Sequence, residues 1–266
     1  MKIGHIISTM DNHDPSRLLK KMNIKKSAII INQTNEMSFK RLELCTGTFD
    51  VYNFKERGIG LSRNNGLMRS NFDITMVSDD DMEYVEDYIS IIEEAYRTYS
   101  NADMLVFGVR IHENSKTRNP VKKNGRVHFL NCLRYGAVTF SFKTESVKKA
   151  NISFSLLFGG GAKYSNGEDA VFIWDCLRAG FKIHSVDKVV ADVYNDQSTW
   201  FEGYTDKYFK DKGALFATLS KTFAEFLCFQ FVLRKRKKII KARTSLEALR
   251  LMFQGIKEVT QNRDER

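Results

Sequence analysis

Residues 74–82 read Ile-Thr-Met-Val-Ser-Asp-Asp-Asp-Met, and this stretch decides the fold. Its apolar half predicts a buried strand, and three carboxylates, Asp79, Asp80 and Asp81, follow where that strand ends. Carboxylate oxygens are hard ligands that suit a divalent cation, and such a cation neutralises a diphosphate. The alternative is that the triplet caps a following helix, because Asp accepts hydrogen bonds from free backbone N–H groups. On this stretch alone both interpretations stay open.

Strands and helices alternate on both sides of the triplet. The sequence predicts strands at residues 3–8, 27–32, 49–53, 73–77 and 104–109, and helices at 16–22, 61–71 and 82–99. This alternation predicts an α/β fold with a doubly wound, mostly parallel sheet. Ligands of such sheets bind beyond the carboxyl ends of the strands, which is where the triplet lies.

The second half of the chain has a less regular pattern. It predicts a strand at 137–143, a short helix at 145–150, a glycine-rich loop at 158–167, a helix at 170–179 and a strand within 183–193. From residue 208 onward the pattern is helical. We therefore expect one α/β domain with a C-terminal helical extension.

Composition narrows the class of protein. The 266 residues carry a net charge of +10, concentrated in the run Arg234-Lys235-Arg236-Lys237-Lys238. The four cysteines are far apart, so a structural zinc site or a disulfide framework is not expected, and a reducing cytoplasm is the natural setting. The N-terminal apolar run is too short for a signal peptide, and no stretch predicts a membrane span.

Two further motifs carry polar groups suited to chemistry. The glycine-rich loop ends at Glu168 and Asp169, at the start of a predicted helix, where Asp169 is a candidate general base; a helix cap is the alternative. Residues 56–67 enter another helix through glycines and carry Arg63 and Asn64. Arg63 is a candidate contact for a diphosphate and Asn64 for a base or ribose, unless this is only a solvated helix start.

The three motifs in this order resemble the family-2 glycosyltransferases of the GT-A fold. The resemblance is carried by Gly-Ile-Gly-Leu-Ser-Arg-Asn-Asn-Gly-Leu at 58–67, the triplet, and Asn-Gly-Glu-Asp followed by Leu-Arg-Ala-Gly within 166–180. It covers roughly residues 1–210. It implies a GT-A catalytic domain over 1–210, with a nucleotide-sugar-binding half at 1–110 and an acceptor-binding half at 111–210. Residues 211–266 would be a basic amphipathic tail.

The resemblance also implies a reaction and a set of residues. A sugar would pass from a nucleotide diphosphate to a hydroxyl of a saccharide acceptor, with inversion. Asp81 and Asp79 would hold Mn²⁺ or Mg²⁺, and Asp169, with Glu168 beside it, would be catalytic. The implied donor-binding residues are Thr9, Asp11, Asn32, Arg63, Asn64, Asp79 and Asp80, and the implied acceptor-binding residues are Gly160, Gly161 and Trp200.

Some positions depart from the family pattern. An acidic turn usually follows the second strand, but here Asn32 and its neighbours carry amides. No clear match exists for the usual C-terminal metal-binding histidine. The identity of the nucleotide base and the third metal ligand are therefore left open.

The C-terminal segment suggests a partner. Residues 223–257 interleave aromatic and aliphatic side chains with Lys and Arg, a pattern typical of helices that lie on anionic membranes. A lipid-linked acceptor of bacterial surface-polysaccharide (capsule) synthesis, at the inner face of the cell membrane, would suit such a segment. The alternative is a helical pair that packs on the domain with a solvated basic face.

Other classes of function explain less of the sequence. A nucleic-acid-binding protein would account for the charge and the aromatic residues, but not for the carboxylates at a strand end. A nucleotidyltransferase would need a Gly-rich, basic loop directly after the first strand, which residues 10–14 do not supply. A catalytically inactive relative that only binds its ligands is a further alternative.

Overall fold

The computed structural model describes residues 1–113, 115–194, 203–239 and 243–264. Within these ranges the strands are β1 (Ile3–Met10), β2 (Ala28–Gln33), β3 (Ser38–Leu44), β4 (Gly47–Phe54), β5 (Ile74–Asp79), β6 (Met82–Tyr84), β7 (Met104–Glu113), β8 (Lys116–Arg118), β9 (Gly125–Arg126), β10 (Phe140–Lys143) and β11 (Ile183–Tyr194). The helices are α1 (Pro15–Lys21), α2 (Ile59–Arg69), α3 (Tyr88–Thr98), α4 (Thr144–Lys149), α5 (Glu168–Arg178), α6 (Asp206–Leu219), α7 (Ala224–Ile239) and α8 (Ser245–Asp264).

One twisted sheet organises the domain, with strand order β3-β4-β2-β1-β5-β10-β7-β11-β6. Strands β4, β2, β1 and β5 pair in parallel, as do β7 and β11, whereas β10 is antiparallel to both of its neighbours. The expected mostly parallel α/β sheet is therefore confirmed. Helices cover both faces, which explains why β2 is buried along its whole length and reads as an apolar run.

The acidic triplet lies in a tight turn between β5 and β6. The helix expected from residue 82 begins only at Tyr88, and Asp87 is the residue before it. Residues 82–84 instead form a strand, because Met82 and Tyr84 alternate with exposed Glu83 and pair with β11. The helix-cap interpretation of the triplet is therefore wrong.

An edge hairpin was missed in the sequence. Strand β3 pairs antiparallel with β4, and most of its residues are exposed. An edge strand with two solvated faces has no apolar period that would reveal it. The glycine-rich loop and the short helix before it lie where the sequence predicted them.

The C-terminal segment forms three helices that pack on the α/β domain. Helices α6, α7 and α8 share a core with α5 and the glycine-rich loop, including Val171, Phe158 and Phe209. Glycines let α6 and α8 touch: a Cβ on Gly213 would lie 1.8 Å from the carbonyl oxygen of Met252. The expected boundary at residue 210 falls inside α6. None of the helices in the described ranges has the length and apolar character needed to cross a bilayer.

Candidate functional site

The candidate site is built at the carboxyl ends of three adjacent parallel strands. Thr9 near the end of β1 lies beside Asn32 of β2, and Ser8 lies beside Asp79 at the end of β5. Because these strands run in the same direction, their polar ends meet at one edge of the sheet. Three of the sequence-predicted donor-binding residues are thereby brought together.

Two of these polar residues fix loops at this edge. The side chain of Asn32 accepts from the backbone N–H of Asn12 at 3.0 Å and donates to the carbonyl of Asn12 at 2.8 Å. The hydroxyl of Thr9 donates to the carboxylate of Asp80 at 2.6 Å. Both side chains therefore hold the loop after β1 and the triplet in place.

Asp11 adopts a left-handed backbone conformation with φ +48°. Its carboxylate accepts from Arg57 at 3.1 Å, and Arg57 also donates to the carbonyl of Gln33. This pairing links the loop after β1 to the start of α2. The edge of the sheet is thus bordered by a preformed polar loop.

Arg63 of α2 lies at the centre of the site. Its side chain is 4% exposed, and its Nη2 donates to both oxygens of Asp79, at 2.9 and 3.0 Å, while its Nη1 donates to Glu168 at 2.8 Å. Burial opposes its charge, but the two carboxylates outweigh burial and raise the pKa of Arg63. The guanidinium thus joins two of the predicted site carboxylates, and the expected contact of Arg63 with a diphosphate stays a prediction.

Asn64 is also engaged within the protein. Its amide donates to the carbonyl of Phe154 at 2.8 Å and accepts from the N–H of Phe154 at 2.7 Å. These two bonds clamp the segment that leads into the glycine-rich loop. The expected contact of Asn64 with a base or ribose stays a prediction.

Glu168 and Asp169 begin α5, directly after Gly167, whose φ of +120° favours glycine. Asp169 accepts from the N–H of Ala170 at 2.7 Å. Burial, and then the charge of Glu168, raise the pKa of Asp169 to about 6. A carboxylate with this pKa is ionised near neutral pH and is a stronger base than an ordinary aspartate.

Asp169 faces a cleft of about 1130 Å³ between α5, α6, α7 and the segment around residues 129–135. Lys212 of α6 also lines this cleft and donates to the side chain of Asn166 at 2.6 Å. Burial lowers the pKa of Lys212, and the carboxylates of Asp169 and Glu168 act against that shift. A candidate base and a cation thus line one cleft.

Asp81 has the features of a cation ligand. One of its carboxylate oxygens, Oδ1, is buried without a hydrogen-bond partner. Burial and the nearby charges of Asp79 and Asp80 raise the pKa of Asp81 to about 7. A smaller cavity of about 320 Å³ lies beside it, lined also by Arg17 and Lys21. A buried, unpaired carboxylate oxygen is costly unless a cation or a donor meets it, so these residues fit a divalent cation.

A complete metal site is not formed by protein side chains in the described ranges. Within them no group of three or more His, Cys, Asp or Glu residues is arranged to hold a metal ion. The two expected ligands, Asp79 and Asp81, would fit a hard cation that completes its coordination with phosphate oxygens and water.

The expected acceptor-binding residues are placed in part. Gly160 and Gly161 are exposed, and the carbonyl of Gly160 accepts from the N–H of Ile59 at 3.0 Å. A Cβ on Gly161 would lie 3.1 Å from the Cα of Gly58, so the loop packs closely on the start of α2. Trp200 lies outside the described residues.

Sequence reasoning missed the residues that anchor the glycine-rich loop. Buried Asp211 of α6 accepts from the backbone N–H of Ser165 at 2.8 Å and from its hydroxyl at 2.7 Å. Lys207 donates to the same carboxylate at 2.7 Å. The only available signal was an acidic residue between two lysines of a predicted helix, which does not reveal a contact 46 residues away.

Comparisons with known proteins bear on the fold. No protein-family model and no curated protein matches the chain. Crystal structures of S. aureus TarS are similar to it. TarS 1–349 in complex with UDP-GlcNAc has a TM-score of 0.69 at 13% identity, over 98% of this chain and 81% of that one.

Two further TarS structures agree. TarS 1–349 in complex with UDP gives a TM-score of 0.63 at 13% identity, over 96% of this chain and 81% of that one. The longer S. aureus TarS gives 0.62 at 13% identity, and this chain spans 43% of its length. The likeness confirms the predicted GT-A fold.

Proposed function

We propose that the protein is a nucleotide-sugar-dependent glycosyltransferase that inverts the anomeric centre. The observation that carries the proposal is the ion-pair chain Asp79–Arg63–Glu168, which ties the acidic turn after β5 to the start of α5. Through one guanidinium it joins the carboxylate proposed for the donor end to Glu168, the neighbour of the proposed base Asp169. The likeness to TarS, which was crystallised with UDP-GlcNAc and with UDP, supports this class of donor.

The donor would lie over the carboxyl ends of β1, β2 and β5. Asp79 and Asp80 would border the sugar and the diphosphate, while Thr9, Asp11 and Asn32 would shape the nucleotide side through the loops they hold. Arg63 would act as a positioning residue, because its Nη2 binds both oxygens of Asp79 and so orients that carboxylate.

Asp81 and Asp79 would hold Mn²⁺ or Mg²⁺. When bound, such an ion would neutralise the diphosphate and stabilise the charge of the leaving nucleotide. The unpartnered oxygen of Asp81 supports this assignment.

Asp169 would be the general base. Its carboxylate would take the proton of an acceptor hydroxyl as that oxygen forms a bond to C1 of the donor sugar. The bond between C1 and the diphosphate oxygen would break on the opposite face, and its electron pair would leave with the nucleotide. Attack opposite to the leaving group inverts C1, through an oxocarbenium-like state. The raised pKa of Asp169 supports this role.

The acceptor would be a saccharide hydroxyl, carried on a lipid in bacterial surface-polysaccharide synthesis at the inner face of the membrane. Gly160, Gly161 and Trp200 would belong to the acceptor side. A nucleic-acid-binding role is the weaker alternative, because it gives no reason for a buried carboxylate with an unpartnered oxygen.

The direct test is donor turnover. Purified protein is incubated with UDP-GlcNAc and Mn²⁺, and released UDP is measured without acceptor and with candidate saccharide acceptors. We expect UDP release that Asp169→Asn suppresses and Asp175→Asn, on the exposed side of the same helix, leaves intact. If UDP-, GDP-, dTDP- and CMP-sugars all fail to turn over in every acceptor mixture, the proposed class is wrong.

A further inference from the structure

The mouth of the large cleft is bordered by exposed apolar side chains from two distant parts of the chain. They are Phe129, Leu130 and Leu133 before β10, and Phe223 and Phe226 around the start of α7. Leu130 is 93% exposed. We call these five residues the cleft rim. Single exposed apolar residues are ordinary, but five around one opening form a patch that marks an interaction surface.

Helix α7 extends this patch along its length. Its exposed residues include Phe226, Phe229 and Leu233, whereas Cys228, Phe231 and Val232 face the helical core. The exposed apolar residues recur at helical spacing, so they lie on one side of α7, where the ring of Phe229 also meets Phe253 of α8 with centroids 5.7 Å apart. The helix therefore keeps a second apolar face after it has packed on the domain.

Positive charge accompanies the apolar surface. The cleft and its mouth are lined by Arg178, Lys212, Lys221, Arg234 and Lys235, and Arg236 and Lys237 are exposed further along α7. Among the described residues that line the cleft, Asp169 is the one carboxylate. Apolar and basic side chains on one face match the interface of an anionic lipid bilayer, where rings enter the acyl boundary and cations meet phosphates.

We propose that the cleft rim and the exposed face of α7 dock on an anionic bilayer, so that the cleft opens toward an amphiphilic acceptor held in that bilayer. The docking surface stands on the exposed residues alone, whereas the role of the cleft rests on the proposed function. An acceptor entering at the rim would present its hydroxyl to Asp169, with its anionic group near Lys212. The C-terminal helices would then pack on the domain and bind the membrane at the same time, because one side of α7 faces the helical core and the other side faces the membrane.

Nucleic acid is the competing partner for a basic, aromatic surface. Binding to a polyanion requires the charges but gains little from exposed aliphatic side chains such as Leu130 and Leu233. A bilayer uses both. The experiment therefore changes the apolar and the basic groups separately.

The first arm measures co-sedimentation of the full chain with vesicles of phosphatidylcholine alone and of phosphatidylcholine with phosphatidylglycerol. We expect binding to the anionic vesicles only, and a loss of about tenfold or more in Phe226→Ser/Leu233→Ser at unchanged charge. Met37→Ser/Met68→Ser removes two equally exposed apolar residues elsewhere and should bind like the parent. Equal binding of both double variants would overturn the proposal.

The second arm reverses charges. Arg234→Glu/Lys237→Glu should lose about tenfold or more in binding to anionic vesicles, whereas the same reversal at the exposed Lys40 of β3 and Lys116 of β8, outside the docking surface, should lose much less. A loss of the same size in both pairs would mean that net charge alone causes the binding, which would contradict a docking surface.

The third arm tests insertion. The parent already carries Trp174 and Trp200, so the readout is the difference in emission between each variant and the parent. That difference should shift to the blue on anionic vesicles for Phe226→Trp, and it should not shift for Met37→Trp. The proposal would be overturned if Phe226→Trp showed no blue shift and single-stranded RNA displaced the protein fully from vesicles. That result would favour nucleic acid as the partner.

Donor-induced thermal stabilisation is measured in all variants without lipid. If donor binding persists while vesicle binding is absent, the docking surface is wrong and the proposed function stands. If vesicle binding follows the expected pattern but no donor is turned over, the docking surface stands and the proposed function is wrong.

Discussion

Replacing Asp169 with Asn tests the proposed base at constant size. The amide cannot accept the proton of an acceptor hydroxyl, and general base catalysis typically contributes a factor of about 10² to 10⁴. The rate of transfer should therefore fall by that factor, which corresponds to about 2.7 to 5.5 kcal/mol in the activation free energy. Donor binding should be unaffected, because Asp169 is separated from Asp79, at the proposed donor end, by Arg63 and Glu168, which pair with each other.

The pH dependence adds a second, independent readout. Burial and Glu168 raise the pKa of Asp169 to about 6, so the protonated, inactive form dominates below this pH. The parent rate should rise about tenfold per pH unit below that value and level off above it. The residual rate of the Asn variant should lack this rise.

The assay is UDP release from the donor in the presence of acceptor, followed across pH. Asp175→Asn is the matched control, because Asp175 lies on the same helix, is 41% exposed and pairs only loosely with Arg178 at 3.9 Å. An Asp169→Asn variant that transfers sugar at the parent rate, with the parent pH profile, would refute the assignment of the base.

Three further predictions concern the frame of the site. Arg63→Met should lower the free energy of unfolding by about 3 kcal/mol, because it leaves Glu168 and the partly exposed Asp79 without their cation; a urea titration that shows a loss below about 1 kcal/mol would contradict this. Gly213→Ala should destabilise by about 1 to 3 kcal/mol or more, since its Cβ would meet the Met252 carbonyl at 1.8 Å; Gly160→Ala, with nothing within 4 Å, is the control in the same titration. Asp81→Asn should raise the melting temperature without metal at pH 8, because burial and two nearby carboxylates disfavour the ionised form, and should abolish the Mn²⁺-dependent part of donor stabilisation; an unchanged melting temperature with intact Mn²⁺ dependence would remove Asp81 from the site.

The sheet could be predicted because its strands have strong local signals. The apolar run of β2 indicates a strand that is buried on both faces, and the polar residues after β5 indicate where that strand ends at the edge of the sheet. Strand β6 could not be predicted, because three residues cannot establish a period, and its pairing with β11 joins positions more than 100 residues apart. The apolar residues Met82 and Tyr84 fit the start of the helix predicted at 82–99 as well as they fit a strand, so the sequence does not distinguish the two.

The site could be predicted as a set of positions but not as a set of contacts. The carboxylates of Asp79 and Glu168 were expected at functional places, yet the sequence gives no sign that one guanidinium joins them. Arg63 and Asn64 were both interpreted as ligand contacts because they follow glycines at a helix start. In the structure both side chains form hydrogen bonds within the protein. These bonds depend on the packing of α2 against α5 and against residue 154, which the local sequence does not reveal.

We propose above all that this chain binds and uses a nucleotide diphosphate sugar with help from a metal ion. The most direct measurement is the melting temperature with UDP-, GDP-, dTDP- and CMP-sugars, each with and without Mn²⁺, for the parent and for Asp81→Asn. At a donor concentration of 100 times its Kd the folded state gains about 2.7 kcal/mol, which is roughly 5 to 10 °C for a chain of this size. The account predicts a rise of that order with one diphosphate donor in the presence of Mn²⁺, lost in Asp81→Asn. No rise with any donor in the presence of Mn²⁺ would contradict it.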